Sequence, residues 1–336
     1  MTRRLLIFAL LASATVALLL LNVFFGAVDI PAADVADILL GRDVHDDSWL
    51  FIILESRLPQ AVTALLCGCS LAVCGLMLQA VFRNPLADPS ILGISSGAGL
   101  GVAFVMLLYG GSVSVGMLSI GGFATVLAAA FAGATAVTLL MFSLSSIIRS
   151  DAMLLIAGVM VGYLSSSIIV LLSYYASEEG LRAYTLWGMG NFASVSTERL
   201  PLFSIIAVVC LSASVLLVKS LNILSLGTLY AENLGVNTRQ LRGTVLIVTG
   251  ILTALTTSFC GPVAFIGLAV PHIARMALHT DDYRKLLPAT ILAGGGVAMA
   301  CNLACTMTPS GTMLPVNAVT PVIGAPVILY VMTKRR

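Results

Sequence analysis

The sequence predicts an all-α integral membrane protein with ten transmembrane helices and both termini in the cytoplasm. Hydrophobic residues make up 59% of its 336 residues and charged residues only 10%, with a mean hydropathy of +1.06. A soluble domain has roughly 25% charged residues, so this chain has too few to cover a surface in water. The charges also divide the chain into long apolar runs, and basic residues stand at both ends.

The apolar runs set the number of predicted spans. A bilayer core takes about 20 residues of helix, so the uncharged runs 89–148 and 286–333 must each hold two spans. Glycines and prolines at 110–112 and 309–311 mark the breaks. We treat 1–336 as one transmembrane domain. The predicted spans are 5–28, 58–82, 91–109, 118–142, 152–175, 200–218, 243–259, 262–278, 287–307 and 315–333.

The count of ten depends on the run 243–274, which is either one tilted helix or two short helices divided at Gly261-Pro262. Basic flanks favour the cytoplasm, and both termini are basic, so the number of spans should be even. Splitting the run gives ten spans and places 13 of the 17 Lys and Arg residues inside. The N-terminal run 5–28 is longer than the roughly 7–15 apolar residues of a cleavable signal peptide, so we expect it to be retained.

The segment 83–101 combines charges, prolines and evenly spaced glycines. We predict a tight cytoplasmic turn over Arg83–Pro89 with its charges in water, because proline ends one helix and starts the next. Gly93, Gly97 and Gly101 then fall on one face of the third span, where small residues allow another helix to approach closely. The alternative is that glycine is merely common in membrane helices.

The predicted spans lack the groups that drive ion-coupled transport. Apart from Arg275, near the end of the span 262–278, none contains Asp, Glu, Lys or Arg, whereas ion-coupled transporters usually keep ionisable residues there. The chain also has no GxxxxGK[ST] loop to hold ATP phosphates. His272 lies near the cytoplasmic end of a span, and we expect it to be structural. If the protein transports against a gradient, a partner must supply the energy.

The seven cysteines all lie in predicted spans. Cys301 and Cys305 share a helical face and are a candidate pair for a soft metal. The alternative is that cysteine serves as a small apolar residue, and we predict no metal site and no cofactor in this chain.

The longest predicted cytoplasmic segment, 219–242, is the candidate docking site for an energy-supplying partner. Gly235 stands where a helix C-cap would, and Asn237 or Thr238 can start a second short helix. A plain amphipathic connector is the alternative. The apolar residues that recur at helical spacing in this segment are Leu226, Leu229, Tyr230 and Leu234.

The fifth predicted span carries small residues four apart, at Gly158, Gly162, Ser166 and Val170. Such a face leaves room for a large ligand beside a second copy of the helix, and we name these residues as the candidate translocation path. A helix-packing face is an equally good interpretation, because small residues at this spacing also bring helices together.

Several segments resemble the permease subunits of the vitamin B12, ferric-siderophore and haem importers, which are type II ABC importers. The similarity is spread in family order from the second span to the C-terminus. The matching segments are RLPQAVTALLCGCSLAVCGLMLQAVFRNPLADPSILGISSGAGLG (57–101), LWGMGNF (186–192), LGTLYAENLGV (226–236), GPVAFIGLAVPHIAR (261–275), DDYRKLLP (281–288) and LPVNAVTPVIGAPVILYVM (314–332).

The resemblance implies a ten-span permease in the cytoplasmic (inner) membrane of a bacterium, surrounded by lipid and not bound to nucleic acid. It implies that a separate ABC ATPase subunit holds ATP-Mg, that an extracytoplasmic binding protein delivers the substrate, and that a second permease copy or a paralogue completes the pore. The residues it implies for ATPase coupling are Leu226, Gly227, Leu229, Glu232, Gly235 and Val236.

The resemblance also implies docking of the binding protein at Arg57, near the outer mouth. The chain departs from the family pattern at Gln60, where a second Arg is usual, and at Met313, where an acidic residue often stands. The predicted outer loops are rich in Asp and Glu, which weakens a simple basic docking surface. Arg182 or Arg199 is then expected to supply the missing contact.

Three functions remain open on the sequence. The first is an importer permease for a ferric siderophore, with cobalamin and then haem as the next substrates. The second is an ion-coupled secondary transporter, which would need a carboxylate within a span. The third is an intramembrane enzyme, for which the serines at 165–167 have no His or Asp on a facing span.

Overall fold

A computed structural model describes residues 2–42, 46–109, 112–115, 118–148, 150–307 and 312–334, and most of them are helical. A π-helical turn, Ile52–Arg57, joins α3 to α4, and a 3-10 turn, Phe192–Ser194, precedes α9. The α-helices are α1 Thr2–Phe24, α2 Ala32–Leu39, α3 Asp47–Phe51, α4 Leu58–Val81, α5 Ile94–Tyr109, α6 Phe123–Ile147, α7 Asp151–Tyr175, α8 Glu178–Gly188, α9 Leu200–Leu224, α10 Thr228–Asn233, α11 Thr238–Cys260, α12 Ile266–Leu278, α13 Tyr283–Thr306 and α14 Val316–Lys334.

A helix lies over each predicted span. Seven helical stretches are long and apolar enough to cross a membrane, and they contain α1, α4, α6, α7, α9, α11 and α13. The helices α5, α12 and α14 give shorter apolar stretches. The number of membrane crossings and the side of each terminus therefore stay predictions.

The helix α4 is the centre of the bundle, with α9, α11, α12 and α13 packed around it. Two glycines allow this: a Cβ on Gly68 would overlap the backbone of Gly294 in α13, and a Cβ on Gly75 would overlap Gly267 in α12. Helices in a membrane gain stability from close packing because lipid is as apolar as their side chains.

The predicted packing face of α5 is confirmed at two of its glycines. A Cβ on Gly97 or Gly101 would overlap the backbone of α6, around Gly133 and Ala129 respectively. Gly93 lies instead against Gly158 of α7 and takes a left-handed φ of 76°. The glycines thus hold α5 against two neighbouring helices.

Some helix limits differ from the predicted span limits. α6 begins at Phe123 rather than 118, because Ser112–Val115 and Leu118–Gly121 pair as an antiparallel hairpin. α9 continues to Leu224 and α11 begins at Thr238, so the connection between them is shorter than the predicted 219–242. The residues 110–111 and 309–311, where breaks were predicted, lie outside the described part of the chain.

The helix break predicted at Gly261-Pro262 is present. α11 ends at Cys260 and α12 begins at Ile266. Gly261 has φ 74° and Phe265 has φ 69°, both in the left-handed region. Glycine accepts this region at no steric cost, whereas Phe265 is strained there.

The prediction that the charges of the Arg83–Pro89 turn stay in water is wrong for Asp88. Its side chain is buried, with the residue 6% exposed, and a Cβ on Gly267 would lie 2.5 Å from its Oδ2. The turn folds back into the bundle because Ser90 satisfies the carboxylate: its backbone N and its Oγ both donate to Asp88 Oδ1, at 2.9 and 2.6 Å. Arg83 remains exposed.

Candidate coupling and translocation site

The short helix α10 forms an exposed apolar corner between α9 and α11. Gly227 before it has φ 115° and Gly235 after it has φ 83°, so glycine makes both sharp turns possible. Glu232 Oε1 accepts a hydrogen bond of 2.8 Å from the Thr238 hydroxyl, which fastens α10 to the start of α11. The large exposed side chains of this corner are Leu226 (64%), Leu229 (78%), Tyr230 (68%) and Leu234 (59%).

All six predicted coupling residues belong to this corner. Leu226, Leu229 and Glu232 are exposed, and Val236 is half-buried. A patch of large apolar side chains exposed beside charged residues marks a protein interaction site. We call residues 226–236 the coupling corner.

Two arginines of α11, just after the coupling corner, contact the end of α6 and the start of α7. Arg239 donates to the Ser146 carbonyl oxygen at 3.2 Å, at the end of α6. Arg242 donates to the Ile148 carbonyl oxygen at 3.4 Å and forms an ion pair with Asp151, the first residue of α7. These contacts border a cleft of about 410 Å³ that also includes Glu232.

Asp151 also contacts the turn between α4 and α5. Its second oxygen, Oδ2, lies 3.4 Å from Arg83 Nη2. The carboxylate therefore holds a residue of that turn and a residue of α11 against the start of α7. Hydrogen bonds and an ion pair thus connect α10, through α11, to the start of α7.

The predicted path residues of α7 do not share one environment. A Cβ on Gly158 would lie 2.7 Å from Leu92 Cα, and Gly162 lies near Ser96, so these two residues face α5. Ser166 is exposed and Val170 is 70% exposed. A stripe of residues four apart drifts around the helix by about 120° over these twelve residues, so it passes from the packed side to the open side.

A second cluster forms where three interrupted segments meet, at the start of α14. Asn317 Nδ2 donates to the carbonyl oxygens of Pro262 at 2.6 Å and Gly188 at 3.2 Å. Its Oδ1 accepts from the Ala264 backbone N at 3.1 Å, and its own N donates to the Met189 carbonyl oxygen at 3.1 Å. One amide thereby connects the end of α8, the break before α12 and α14.

The helix α8 packs back against α5. Tyr184 and Trp187 lie near Gly99, with their ring centroids 6.1 Å apart. Burial raises the pKa of the Tyr184 hydroxyl. This helix lies in a connection that the sequence analysis treated as an outer loop, and its apolar side makes part of the bundle wall.

The three arginines named for docking differ in environment. Arg57 is 6% exposed and donates to the carbonyl oxygens of Val23 at 3.1 Å and Phe24 at 2.8 Å, and also to that of Val28. It therefore satisfies the last carbonyls of α1, a structural role that the sequence did not predict. Arg182 is exposed on α8, and Arg199 is partly exposed. The docking role of all three stays a prediction.

His272 has the structural contact expected of it. It is buried, and its Nε2 lies 2.9 Å from the Pro85 carbonyl oxygen, so it fastens the turn that carries Asp88. Cys301 and Cys305 are buried and free. Among the described residues, no group of three His, Cys, Asp or Glu side chains is arranged to hold a metal ion.

Comparison with known proteins shows which family this chain belongs to. The model of the FecCD transport family matches residues 14–334. The chain belongs to this family. It is 33% identical over 287 residues to the vitamin B12 import system permease protein BtuC of Yersinia enterocolitica, covering 84% of this chain and 82% of that protein. It is 31% identical over 320 residues to the hemin transport system permease protein HmuU of Yersinia pestis, covering 95% and 94%.

Solved structures agree with the FecCD fold. A metal-chelate type ABC transporter in an inward-facing conformation superimposes with a TM-score of 0.82 at 29% identity, covering 97% of this chain and 99% of that one. PsaBC from Streptococcus pneumoniae superimposes with a TM-score of 0.55 at 15% identity, which shows the fold alone.

This FecCD protein contains a buried chain of amides that its sequence pattern does not reveal. Gln60 Nε2 donates to Asn302 Oδ1 at 2.8 Å, and Asn302 Nδ2 donates to Asn22 Oδ1 at 2.7 Å. Asn22 in turn donates to the Met299 carbonyl oxygen at 3.0 Å. Gln60 stands where the family usually has an Arg. It places a neutral donor between α4, α13 and α1, where an Arg would bury a charge.

Proposed function

We propose that this chain is the transmembrane permease subunit of an ATP-driven importer in the cytoplasmic membrane of a bacterium. A separate ATPase subunit would bind and hydrolyse ATP-Mg, and an extracytoplasmic binding protein would deliver the substrate. Membership of the FecCD family, the permease names of the relatives and the similarity to an ABC transporter structure support this proposal.

The observation that carries the proposal is the coupling corner and its connection to α7. Leu229 and Tyr230 are exposed at the tip of the corner, where they can enter a groove on the ATPase. Arg239 and Arg242 connect the other side of the corner to the end of α6 and the start of α7. A movement of the ATPase would thereby displace the helix that carries the predicted path.

The path would be completed by a second permease copy. The side of α7 away from α5 exposes Tyr163 and Val170, and α14 exposes Val322 and Leu329. We propose that α7, α14 and the neighbouring α8 of two copies surround the substrate. Ser166 and Val170 would border the path, whereas Gly158 and Gly162 would allow α7 to lie against α5.

We propose a large metal chelate as the cargo. The side chains that α7 exposes carry no charge, so a large ligand meets few strong polar contacts that would hold it within the path. The relatives described above are permeases of vitamin B12 import and hemin transport systems. The ferric siderophore expected from the sequence belongs to the same chemical class.

Growth of a strain that lacks this gene tests the proposal and separates the three cargoes. The strain is grown with a xenosiderophore as sole iron source, with haem as sole iron source, and separately on limiting cobalamin. We expect loss of growth on one of the three, restored by the intact gene. Normal growth on all three would contradict a chelate cargo.

A further inference from the structure

The carboxylate of Asp151 is shared by two arginines from distant parts of the chain, and the two ion pairs differ in exposure to solvent. The side chains of Asp151 and its partner Arg242 on α11 are 19% and 18% exposed, whereas that of Arg83 is 54% exposed. Water and salt screen an exposed pair more than a partly buried one. The pair with Arg242 is therefore the stronger one, and it links α7 to α11.

Arg242 holds both ends of the short connection from α6 to α7. Its guanidinium donates to the carbonyl oxygen of Ile148, the C-cap residue of α6, as well as to Asp151. Thr238, one turn earlier on α11, donates at 2.8 Å to Glu232 of α10. The start of α11 therefore contacts the coupling corner on one side and the start of α7 on the other.

The packing of the helices makes this ion pair important for any movement between them. In the described part of the chain, α7 packs mainly against α5 and α6, and α11 packs mainly against α6, α4 and α9. The pair of Asp151 and Arg242 is thus a direct contact between two helices that share little packed surface. A movement of the start of α11 can reach α7 through this contact, or indirectly through α6.

We propose that Asp151 is the positioning residue through which the coupling corner moves α7. The ATPase would displace the corner, the start of α11 would follow, and Arg242 would pull the first turn of α7 by the Asp151 carboxylate. Arg83 would limit this displacement, because it holds the same carboxylate to the turn between α4 and α5. This role depends on the proposed function, since it needs an ATPase that binds at the coupling corner.

Distances between spin labels test this role in the complex of the full-length permease with its ATPase subunit. In a cysteine-free background, one label replaces Met160 on α7 and the other replaces Leu216 on α9, both of which are exposed. Labelled chains are diluted with unlabelled ones so that distances within one chain dominate. The distance is measured without nucleotide and with ATP-Mg and vanadate. We expect it to change with nucleotide in the parent and not in Asp151→Asn, while the ATPase co-purifies with both.

Matched variants separate this role from a simple effect on helix stability. Asp151 also lies in the first turn of α7, where an acidic residue stabilises the helix N-terminus. Glu178→Gln removes an acidic residue from the same position of α8, which likewise follows a serine N-cap, and should leave the distance change intact. Asp151→Glu keeps the carboxylate and should keep the change.

The two arginines should differ in their effects. Arg242→Gln should abolish the distance change, and Arg83→Gln should reduce it less, because its ion pair is the more exposed one. The double variant Asp151→Asn with Arg242→Gln should behave like either single variant, since all three remove the same contact.

A normal distance change in Asp151→Asn would overturn this role and would mean that the movement reaches α7 through α6. A parent that binds the ATPase but shows no distance change would also overturn it, because α7 then does not follow the coupling corner. A parent that binds no ATPase would contradict the proposed function itself, and this role with it. If Asp151→Asn does not fold, a normal distance change in Arg242→Gln is enough to overturn the role of the ion pair.

Discussion

The Nδ2 atom of Asn317 lies 2.6 Å from the carbonyl oxygen of Pro262. This hydrogen bond joins the start of α14 to the break between α11 and α12. The same side chain also reaches Gly188 and Ala264, so it holds two interrupted segments against one helix. Breaks of this kind are tolerated within a membrane protein only where neighbouring groups satisfy the freed backbone.

Asn317→Asp should destabilise the protein more than its small change in shape suggests. The new carboxylate oxygen would face the carbonyl oxygens of Pro262 and Gly188 and could not donate to either. Leaving buried polar groups unpaired costs about 1–3 kcal/mol each. We expect a clear fall in melting temperature for the purified chain. Asn84→Asp is the control, because the Asn84 side chain accepts a hydrogen bond from the Leu86 backbone N and Asp keeps that acceptor. An unchanged melting temperature in both variants would contradict this role of Asn317.

Arg57→Lys separates a structural role from a docking role. Lysine keeps the charge but cannot present the planar fork that reaches several carbonyls, and a hydrogen bond to a charged group contributes about 1.5–3 kcal/mol. We expect a lower melting temperature and unchanged affinity for the binding protein. The exposed Arg182→Lys should leave the melting temperature unchanged. The reverse result for Arg57, normal stability with weakened docking, would favour the role implied by the family resemblance.

The buried carboxyl of Asp88 should make stability depend on pH. Burial raises its pKa above the ordinary value, and the hydrogen bonds from Ser90 oppose this shift without cancelling it. The folded chain then binds the proton more tightly than the unfolded chain, so this group adds stability as pH falls through the raised pKa towards the ordinary value of about 3.9. At neutral pH the ionised group is a cost.

Asp88→Asn should therefore melt at a temperature no lower than the parent at pH 7, with a weaker dependence on pH below neutrality. The amide oxygen of Asn keeps the acceptor for Ser90. Thermal melting of the purified chain from pH 4.5 to 8 measures this, with the exposed Asp281→Asn as control. A large destabilisation of Asp88→Asn at pH 7 would mean that the carboxylate is held ionised, for example by the start of α12.

Cysteine labelling tests the predicted topology. Single cysteines replacing Asp47 and Glu179 in a cysteine-free variant should react with an impermeant reagent from outside the cell. Those replacing Asn237 and Asp282 should react only after the membrane is opened. Reaction of the Asp282 position from outside would contradict two membrane crossings by α11 and α12.

The sequence predicted those features whose pattern lies within a short stretch of neighbouring residues. Apolar runs and their charged borders predicted helices over all the spans, and Gly261-Pro262 marked a break that the structure contains. The corner around Leu229 was predicted because helical spacing and Gly235 are visible in a few residues. The packing of Gly97 and Gly101 followed from the same kind of pattern.

Contacts between distant segments were not predictable in this way. Asp88 and Arg57 stand next to apolar runs, where a charge is normally solvated, and only the positions of Gly267 and of the last carbonyls of α1 make them buried. The role of Asn317 likewise depends on α8 returning to the bundle. Helix geometry explains why residues spaced by four drift around α7 from Gly158 to Val170. The position of α5 decides which of these residues are packed.

The coupling corner gives the most direct test of the account. Leu229→Asp and Glu232→Arg change exposed side chains, and Glu232→Arg removes one exposed hydrogen bond. The purified permease should therefore keep its place in the membrane, with at most a small fall in melting temperature. Arg284→Glu, an exposed charge reversal on the same predicted face, is the matched control. The measurement is co-purification of the ATPase subunit, followed by ATP-driven uptake in vesicles that contain both subunits and the binding protein. We expect both corner variants to lose the ATPase and the uptake while the control keeps them; normal co-purification together with substrate-stimulated ATP hydrolysis in both corner variants would contradict coupling at residues 226–236.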